Sequence, residues 1–327
     1  MKRAAQIGAW IDKFLAADPP RAKSLVVTIF GDSIAPHGDS IWLQSLIDLL
    51  RPFGVNERLV RSSVFRLVEE EWLVAERHGR HSRYAFTPSG RKRFERAHDK
   101  IYFASHRRWT REWNGEWTLL IAPPSQLPPA SRVLLRRELA WEGFRMISPG
   151  TFAHPAGDRR ALDEILDRTH LSDHAVVCSA RDLDSTGSRS LRSLISQHWE
   201  LAPVFDAYQK FIERLRPLLG FMPRDNGIAS EQAFAIRTLV IHAFRRVLLH
   251  DPLLPAELLP EDWPGRKAHD LCRSVYHVTY PDAEQYMLSV LGPAALPRPA
   301  PYFQERFGGL PSFPARVPSD TAALLTT

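Results

Sequence analysis

Arginines recur at helical spacing in a segment that begins near residue 54. Val60, Val64 and Leu67 follow one another at intervals of three or four, which predicts a helix with one apolar face. The opposite face carries side chains suited to phosphates and base edges: Arg58, Arg61, Ser62, Phe65 and Arg66. Arginine can donate two hydrogen bonds to guanine, a serine hydroxyl can contact a phosphate or a base, and a phenyl ring can meet a thymine methyl group. This pattern predicts recognition of DNA, and a merely solvated helix face is the alternative.

A basic hairpin is predicted directly after this helix. Beyond Trp72 the pattern changes to alternation, with Leu73 before the turn and Phe86 after it. The turn contains Gly79, and cationic or ionisable side chains surround it: Arg77, His78, Arg80, His81 and Arg83. A narrow tip of this kind suits phosphates or the minor groove, where arginine is favoured. A solubilising turn is the alternative interpretation.

Recognition of DNA by such a face requires neighbouring elements that hold it against a duplex. Residues 24–34 are an apolar run of helix length, and the apolar spacing of residues 41–50 is typical of a second helix. Gly54 ends that second helix, and Asn56 is placed to cap a recognition helix at residues 56–70. Helix, helix, turn, basic helix and hairpin follow the order of a winged helix-turn-helix, with the tip of the wing at residues 77–83.

Positive charge is concentrated in the same part of the chain. The 327 residues carry a formal net charge of +6, but residues 51–111 hold 15 Arg or Lys against 7 Asp or Glu. The remaining residues hold 28 against 30, so the whole excess lies around the predicted winged helix. A phosphate backbone is the commonest partner for such asymmetry, although a membrane surface or a solvated face could also produce it.

The cysteines and the hydropathy indicate an intracellular protein without a membrane anchor. Cys178 and Cys272 each follow apolar residues, which is typical of buried thiols in a reducing compartment. No apolar run approaches the ~20 residues that a spanning helix needs, and the first residues lack the apolar core of a signal peptide. We therefore expect a cytoplasmic protein.

Four segments are predicted along the chain, and together they indicate an α+β multidomain fold. The winged helix-turn-helix occupies residues 20–100 and a central domain occupies residues 101–190. A helical domain for dimerisation and effector binding follows at residues 191–292, and residues 293–327 form a proline-rich tail, extended or disordered.

Strands and helices alternate within the central segment. Strands are predicted at residues 117–122, 144–152 and 174–180, with helices at residues 130–142 and 160–169. So many alternations in so few residues indicate a small ferredoxin-like α+β unit. Beyond residue 190 the pattern is helical, with helices expected at residues 199–219, 231–249, 267–276 and 282–291.

Three strings resemble a known family of bacterial repressors. They are FGDSI, IWLQSLIDLLRPFGVNERLVRSSVFRLVEEEWL and HDPLLPAELLPEDWPG, and the likeness extends over residues 22–291. They resemble the PaaX family, which controls phenylacetate degradation. The resemblance implies a winged-helix domain, a central domain related to a small CRISPR-associated nuclease, and a helical C-terminal domain. It also implies a homodimer that binds a palindromic operator and releases it on binding phenylacetyl-coenzyme A.

A site for that effector is hardest to place from the residues. The segment 231–249 is apolar on nearly every side except a seam of Thr238, His242, Arg245 and Arg246. A structural salt bridge to Asp251 and a ligand site explain this seam equally well. In the ligand interpretation, the phosphates or the thioester are bound by His242, Arg245 and Arg246. Trp263 and Tyr276 form the walls of an aromatic acyl pocket. Arg136 and Arg137 are weaker candidates for contacts with the phosphates.

The nuclease relationship raises a metal-dependent nuclease as the alternative function. Those nucleases place a carboxylate directly after the first strand to hold a divalent metal. Here the strand WTLLIA is followed by Pro123, Pro124 and Ser125, which offer no such ligand. His170 and His174 are separated by a predicted turn and need not face one metal. We therefore expect no catalytic site, no resident metal and no cofactor. A nucleic-acid scaffold without an effector remains a further alternative.

Overall fold

The computed structural model of the chain describes residues 2–182, 190–223, 227–292 and 306–309. These residues form a winged-helix unit, a central α+β unit and a helical C-terminal unit, which confirms the expected fold class. Across the described ranges, no helix combines the length and the hydropathy required to cross a bilayer.

The winged-helix unit contains three helices and a three-stranded sheet. Its elements are α2 (Ala22–Ile29), β1 (Ser40–Trp42), α3 (Leu43–Leu50), α4 (Glu57–Glu69), β2 (Leu73–His78) and β3 (His81–Phe86). Asn56 caps α4 as predicted, because its Oδ1 accepts a hydrogen bond of 3.0 Å from the Leu59 amide. Gly54 stands in the left-handed region with φ 70°, where the chain turns from α3 into α4.

Two predicted helix bounds in this unit are wrong. Residues 30–34 leave the α-helical path and form a π-helical turn, Phe30–Ile34. Ile41 and Trp42 begin not a helix but the short strand β1, which pairs antiparallel with β3. An apolar pair has the same appearance at a helix start and in a strand, and the pairing with β3 is a tertiary interaction that local periodicity does not reveal.

A helical connector leads from the wing into the central unit. It runs through α5 (Pro88–His98), a π-helical stretch (Asp99–Ala104) and α6 (Ser105–Thr110) without a break. The Thr87 hydroxyl caps α5 by accepting from the Gly90 amide at 2.9 Å. The domain boundary predicted between residues 100 and 101 falls inside this connector.

The central unit has the predicted ferredoxin-like order of strands and helices. Its elements are β4 (Trp117–Ile121), α7 (Pro129–Trp141), β5 (Arg145–Ser148), β6 (Thr151–His154), α8 (Arg159–Thr169) and β7 (Val176–Ala180). The sheet is antiparallel in the order β5-β6-β4-β7. Leu120 packs with Leu135 of α7 and Leu162 of α8, so the two helices share a core on one face of the sheet.

The C-terminal unit is helical, as predicted, but has one helix fewer in its last part. Its elements are α9 (Ile195–His198), α10 (Ala202–Leu219), α11 (Ser230–Leu248) and α12 (Gly265–Leu291). Residues 267–276 and 282–291 belong to one helix, α12, which contains Pro281. The proline removes one helical hydrogen bond, but α12 packs along α11 and buries Thr279, Ala283 and Met287 around it, which offsets that loss.

One apolar core connects the winged helix with the C-terminal helices. Helix α2 packs against α11, and α3 packs against α12. The N-terminal helix α1 (Lys2–Ala17) buries Ile7, Trp10 and Phe14 in the same core and contacts α10 and α11. The winged helix is therefore fixed to the C-terminal helices by packing.

Candidate functional site

The predicted recognition face of α4 is fully presented to solvent. Val60, Val64 and Leu67 are buried beneath the helix, and the five candidate side chains on the other side are all exposed: Arg58, Arg61, Ser62, Phe65 and Arg66. Phe65 leaves 62% of its surface exposed, so it does not pack beneath the helix. An exposed phenyl ring between arginines is consistent with contact to a thymine methyl group.

Arg61 is held by a partner that a nucleic acid could replace. Its Nη2 lies 2.6 Å from Glu57 Oε1 one turn earlier, and both side chains are more than half exposed. Exposed pairs of this kind contribute only about 0.3 to 0.5 kcal/mol. The guanidinium can therefore turn towards a base at little cost.

The wing is a β-hairpin, as the sequence predicts, and its turn consists of two residues. Strands β2 and β3 pair from Leu73 with Phe86 to His78 with His81, and Gly79 takes φ 62° in the turn. The exposed tip brings together four candidate side chains: Arg77, Arg80, His81 and Arg83.

Trp42 is a residue of the wing that the sequence analysis missed. Its ring lies 5.4 Å from that of His78, and the Arg83 guanidinium lies 6.0 Å from its centroid. Arg83 Nη2 also donates to Ser40 Oγ at 2.5 Å. Strand β1 thus braces one side of the wing, and 39% of the Trp42 side chain remains exposed beside it. The misassigned helix at residues 41–50 hid this role.

Behind the winged helix, the FGDSI string forms a buried polar junction. Asp32 stands in the π-helical turn, where its carboxylate accepts from Tyr102 Oη at 2.6 Å and from Tyr276 Oη at 3.1 Å. Arg237 Nε of α11 lies 3.1 Å from the second carboxylate oxygen. One aspartate therefore links the winged unit, the connector and the C-terminal helices.

The predicted tail contributes to this junction. Arg306 and Phe307 are completely buried, and Arg306 Nη1 lies 3.0 Å from Asp32 Oδ1. The Phe307 ring packs 5.2 Å from that of Tyr102 and 5.5 Å from that of Tyr276. The expectation of an extended tail is wrong for residues 306–309, because these two side chains find partners far away in the sequence. The remainder of that prediction, residues 293–305 and 310–327, lies outside the described residues.

Three side chains of the polar seam of α11 have partners within the protein, whereas the buried Thr238 hydroxyl has no hydrogen-bond partner among the described residues. His242 Nδ1 lies 2.9 Å from Thr28 Oγ1, and Arg245 Nη1 donates to the same oxygen at 2.9 Å. Burial, helped by Arg245, lowers the pKa of His242 to about 3. Arg246 pairs with Asp18 at 2.7 Å. The seam therefore attaches α11 to α2 and to the end of α1.

The structure separates the other effector candidates. Trp263 packs 5.9 Å from the ring of Phe205 and 6.0 Å from that of Tyr208, whereas Tyr276 belongs to the Asp32 junction. Asp251 does not bridge to the seam: its Oδ2 accepts from Arg108 Nη1 at 2.9 Å and from Tyr208 Oη at 2.6 Å.

Two of the effector candidates line the same cavity, which has a volume of 500 Å³. Arg137 of α7 and Arg245 of α11 both line it, while Arg136 lies exposed outside its wall. Sequence reasoning could not assemble its wall, because the wall draws on α2, β3, α5, α7 and α11.

The end of β4 shows no arrangement for metal-dependent cleavage. The strand ends at Ile121 and continues through Ala122, Pro123 and Pro124, without a carboxylate. Within the described part of the chain, no group of three or more His, Cys, Asp or Glu side chains could hold a metal ion.

The comparisons with known proteins cover the same three units. Family profiles match the chain as PaaX-like protein at residues 21–90, as the PaaX protein central Cas2-like domain at residues 110–192, and as the PaaX-like protein C-terminal domain at residues 199–289. The transcriptional repressor PaaX of Escherichia coli (strain K12) is 33% identical over 310 residues, which cover 94% of this chain and 96% of the repressor. The chain belongs to the PaaX family. It is a PaaX-like transcriptional repressor, which agrees with the exposed basic helix and wing.

A solved structure shares the fold. Rv0674, an uncharacterized protein from Mycobacterium tuberculosis, superposes with a TM-score of 0.51 at 23% sequence identity. The match covers 82% of this chain and 99% of that one. The PaaX arrangement of winged, central and helical units therefore occurs in both proteins.

Proposed function

We propose that this PaaX-family protein represses genes of phenylacetate catabolism by binding a palindromic operator as a homodimer. The observation that carries the proposal is the joint exposure of α4 and the wing within the basic part of the chain. The exposed arginines are Arg58, Arg61 and Arg66 on α4 and Arg77 and Arg80 on the wing. Helix α4 enters the major groove and reads bases, while the wing contacts the phosphate backbone or the minor groove.

The symmetry of the operator follows from one recognition helix in each subunit. Two copies related by a twofold axis present two α4 helices to successive major grooves about 34 Å apart. An imperfect inverted repeat is the sequence that such a pair reads. In this proposal the C-terminal helices form the contact between the two subunits. Since they also pack onto the winged helix of their own subunit, they fix the distance between the two winged helices of the dimer.

Phenylacetyl-coenzyme A is the proposed signal for release. A ligand shifts a repressor towards the released form only by its differential affinity for the two forms. The winged unit, the connector and the C-terminal helices meet around Asp32, so a small displacement there changes the position of α4.

Replacing the central arginine of the recognition face tests the proposal. We expect Arg61→Ala to lose about 1 to 3 kcal/mol of binding free energy for the preferred operator and to relax the preference at one base pair. The operator is first selected from genomic fragments that the purified protein retains, and binding is then measured by competition with single-base variants. Arg216→Ala, which removes an exposed arginine of α10, is the control. Equal discrimination by both variants would show that α4 does not read the operator.

The wing is expected to contribute without reading sequence. Arg80→Ala should weaken binding to all sequences alike and should reduce the slope of log K against log salt by about 0.9, the loss of one phosphate contact. Titrations with operator and with unrelated duplex at several salt concentrations measure this slope. An unchanged slope, or a loss confined to the operator, would contradict the assignment of the wing to the backbone.

A further inference from the structure

The 500 Å³ cavity lies where the winged, central and C-terminal units meet. Its wall includes Trp72 in the turn between α4 and β2, Phe86 at the end of β3, Ala97 of α5 and Trp141 of α7. This volume lies in the range of roughly 300 to 1,000 Å³ that small-molecule sites occupy. The cavity touches both DNA-reading elements from behind, so its occupant would contact the base of the recognition helix and the base of the wing.

Five flat aromatic side chains contribute to the wall of the cavity. Trp72, Phe86, Phe94, Tyr102 and Trp141 all line it. The rings of Phe86 and Phe94 are stacked, with centroids 5.3 Å apart and planes at 16°. Aromatic rings attract one another by offset or edge contacts in addition to burying apolar area. The interior therefore suits an apolar group that is itself aromatic.

Cations gather at one side of the same cavity. Glu138 of α7 is in direct contact with three guanidinium groups: Arg168 at 2.6 Å, Arg137 at 3.4 Å and Arg96 at 3.8 Å. Arg245 donates only to uncharged oxygens among the described residues, those of Thr28 and Ser24. Because a single carboxylate does not neutralise three guanidinium groups, this region attracts a further anion. The planar guanidinium of arginine can donate two hydrogen bonds to the oxygens of a phosphate.

Arg96 also connects the cavity to a second, larger space. A cleft of 1270 Å³ lies between the connector and the central unit, and both Arg96 and Arg168 line it. A ligand with its aromatic end in the smaller cavity thus has room to extend past Arg96 into this cleft, which Arg107, Arg160 and Arg168 line together with several carboxylates. An aromatic group joined by an arm to several phosphates suits the aromatic wall and these arginines.

We infer that this cavity is the binding site for an aromatic acyl-coenzyme A thioester. The ring lies among Trp72, Phe86 and Trp141, and the phosphates lie at Arg96 and Arg137. This inference rests on the proposed function and assigns a binding site to the thioester that acts as its release signal.

The position of the site supplies a route to α4. Trp72 donates from its amide to the Leu67 carbonyl of α4 at 2.8 Å, and its own carbonyl accepts from the Thr87 amide at 3.1 Å. A Cβ on Gly90 would lie 2.0 Å from that carbonyl, so α5 packs directly on this corner. A ligand that moves the Trp72 ring therefore acts on the end of α4 and on the start of α5.

Neighbouring arginines of α7 provide a matched pair of variants. We expect Arg137→Ala to weaken binding of phenylacetyl-coenzyme A about tenfold, since a charge-assisted contact to phosphate is lost. Arg136→Ala removes another exposed arginine of α7, which lies outside the wall, and should leave the dissociation constant within about twofold. Isothermal titration of the full-length variants with phenylacetyl-coenzyme A, coenzyme A and phenylacetate measures both. Equal effects of the two substitutions would overturn the placement of the phosphates.

Filling the cavity tests the position of the acyl group. Ala97→Phe projects a ring into the space that the acyl group would occupy, so phenylacetyl-coenzyme A should neither bind to the variant nor change its affinity for operator. Circular dichroism and urea unfolding like those of the unchanged protein show that the variant is folded. If Ala97→Phe is still released at the same thioester concentration, the cavity is not the site.

The possible results distinguish a failure of this inference from a failure of the proposed function. Binding of the thioester by the unchanged protein, together with normal binding by Ala97→Phe and Arg137→Ala, would overturn the location and leave the proposed signal intact. A protein that binds operator but none of the three compounds would overturn the signal itself. Coenzyme A binding as tightly as its thioester would overturn the role of the aromatic interior.

Discussion

An Asp32→Asn protein is expected to unfold with a free energy about 3 to 5 kcal/mol lower than that of the unchanged chain. The Asp32 carboxylate is almost completely buried and pairs with two buried arginines, Arg237 at 3.1 Å and Arg306 at 3.0 Å. It also accepts hydrogen bonds from Tyr102 and Tyr276. Removing one partner of a buried ion pair is costly because the remaining charge stays in a medium of low polarity.

Both arginines have further partners besides Asp32. Arg237 keeps a second carboxylate, Glu284 of α12, and Arg306 also donates to the Tyr276 hydroxyl and lies 3.3 Å from Nε2 of His98. An asparagine also turns an amide NH₂ towards groups that are themselves donors. Adding Arg306→Met to Asp32→Asn removes one of the two cations that faced the lost carboxylate and should recover part of the stability.

Urea unfolding at pH 7.5, followed by circular dichroism, measures the difference. Asp12→Asn, which changes an exposed carboxylate of α1, is the control and should remain within about 0.5 kcal/mol of the unchanged chain. If Asp32→Asn unfolded like Asp12→Asn, the junction would not hold the winged unit to the C-terminal helices. If the double variant were less stable than Asp32→Asn, Arg306 would be stabilised by groups other than the aspartate.

The recognition helix and the wing could be predicted because their signals are local. Asn56 lies three residues before the amide that it caps, and the two strands of the wing are joined by a two-residue turn. The cap of α4 and the pairing of β2 with β3 join residues close in sequence, whereas the pairing of β1 with β3 is a distant contact and was not predicted. Their periodicity and turn residues therefore specify them without knowledge of the rest of the fold.

The junction could not be predicted because its partners are distant in the sequence. Asp32 meets Tyr102, Arg237, Tyr276 and Arg306, which lie in four other segments. FGDSI was informative only as a string typical of the family. The seam predicted on α11 included His242 and Arg245 but missed Arg237, since nothing in the local pattern distinguishes an arginine that will be buried from one that will be solvated.

The dependence on contacts between distant segments also explains why the effector candidates lie at different sites in the structure. Trp263 and Tyr276 lie 13 positions apart in the chain, yet they pack into different aromatic groups. Arg137 and Arg245 come from different units and line one cavity. Residue type indicated which side chains could bind a thioester, but only the packing of α5, α7 and α11 determined which of them meet.

Mild acid is expected to destabilise the protein well before its carboxylates titrate. Burial lowers the pKa of His98 and of His242 from 6.5 to about 3, and that of His154 to about 4. Nearby arginines, Arg306 and Arg245, lower the first two further. Above pH 6.5 these rings are neutral in the folded and unfolded chain alike, so their full contribution to stability is present there.

Below pH 6.5 the unfolded chain takes up protons that the folded chain cannot accept. Each buried ring then contributes a slope of up to about 1.4 kcal/mol per pH unit, and the loss continues until the pH reaches its folded pKa. Burial raises the pKa of Glu142, so this carboxyl makes the free energy of unfolding increase as the pH falls. One such group does not offset the effect of the three histidines. The free energy of unfolding should therefore fall steeply between pH 6.5 and pH 5.

His154→Gln should flatten this dependence. His154 Nε2 lies 2.8 Å from the Pro252 carbonyl and its Nδ1 accepts from the Ala156 amide at 3.0 Å, so a second ring proton would face an N–H group. Glutamine can donate to the same carbonyl but does not titrate, and the slope between pH 6.5 and pH 5 should decrease by up to about 1.4 kcal/mol per pH unit. Urea unfolding at half-unit intervals of pH measures it, with His174→Gln on the exposed turn before β7 as the control. A slope unchanged by His154→Gln would mean that the ring is protonated in the folded protein, which contradicts the two hydrogen bonds that fix its neutral form.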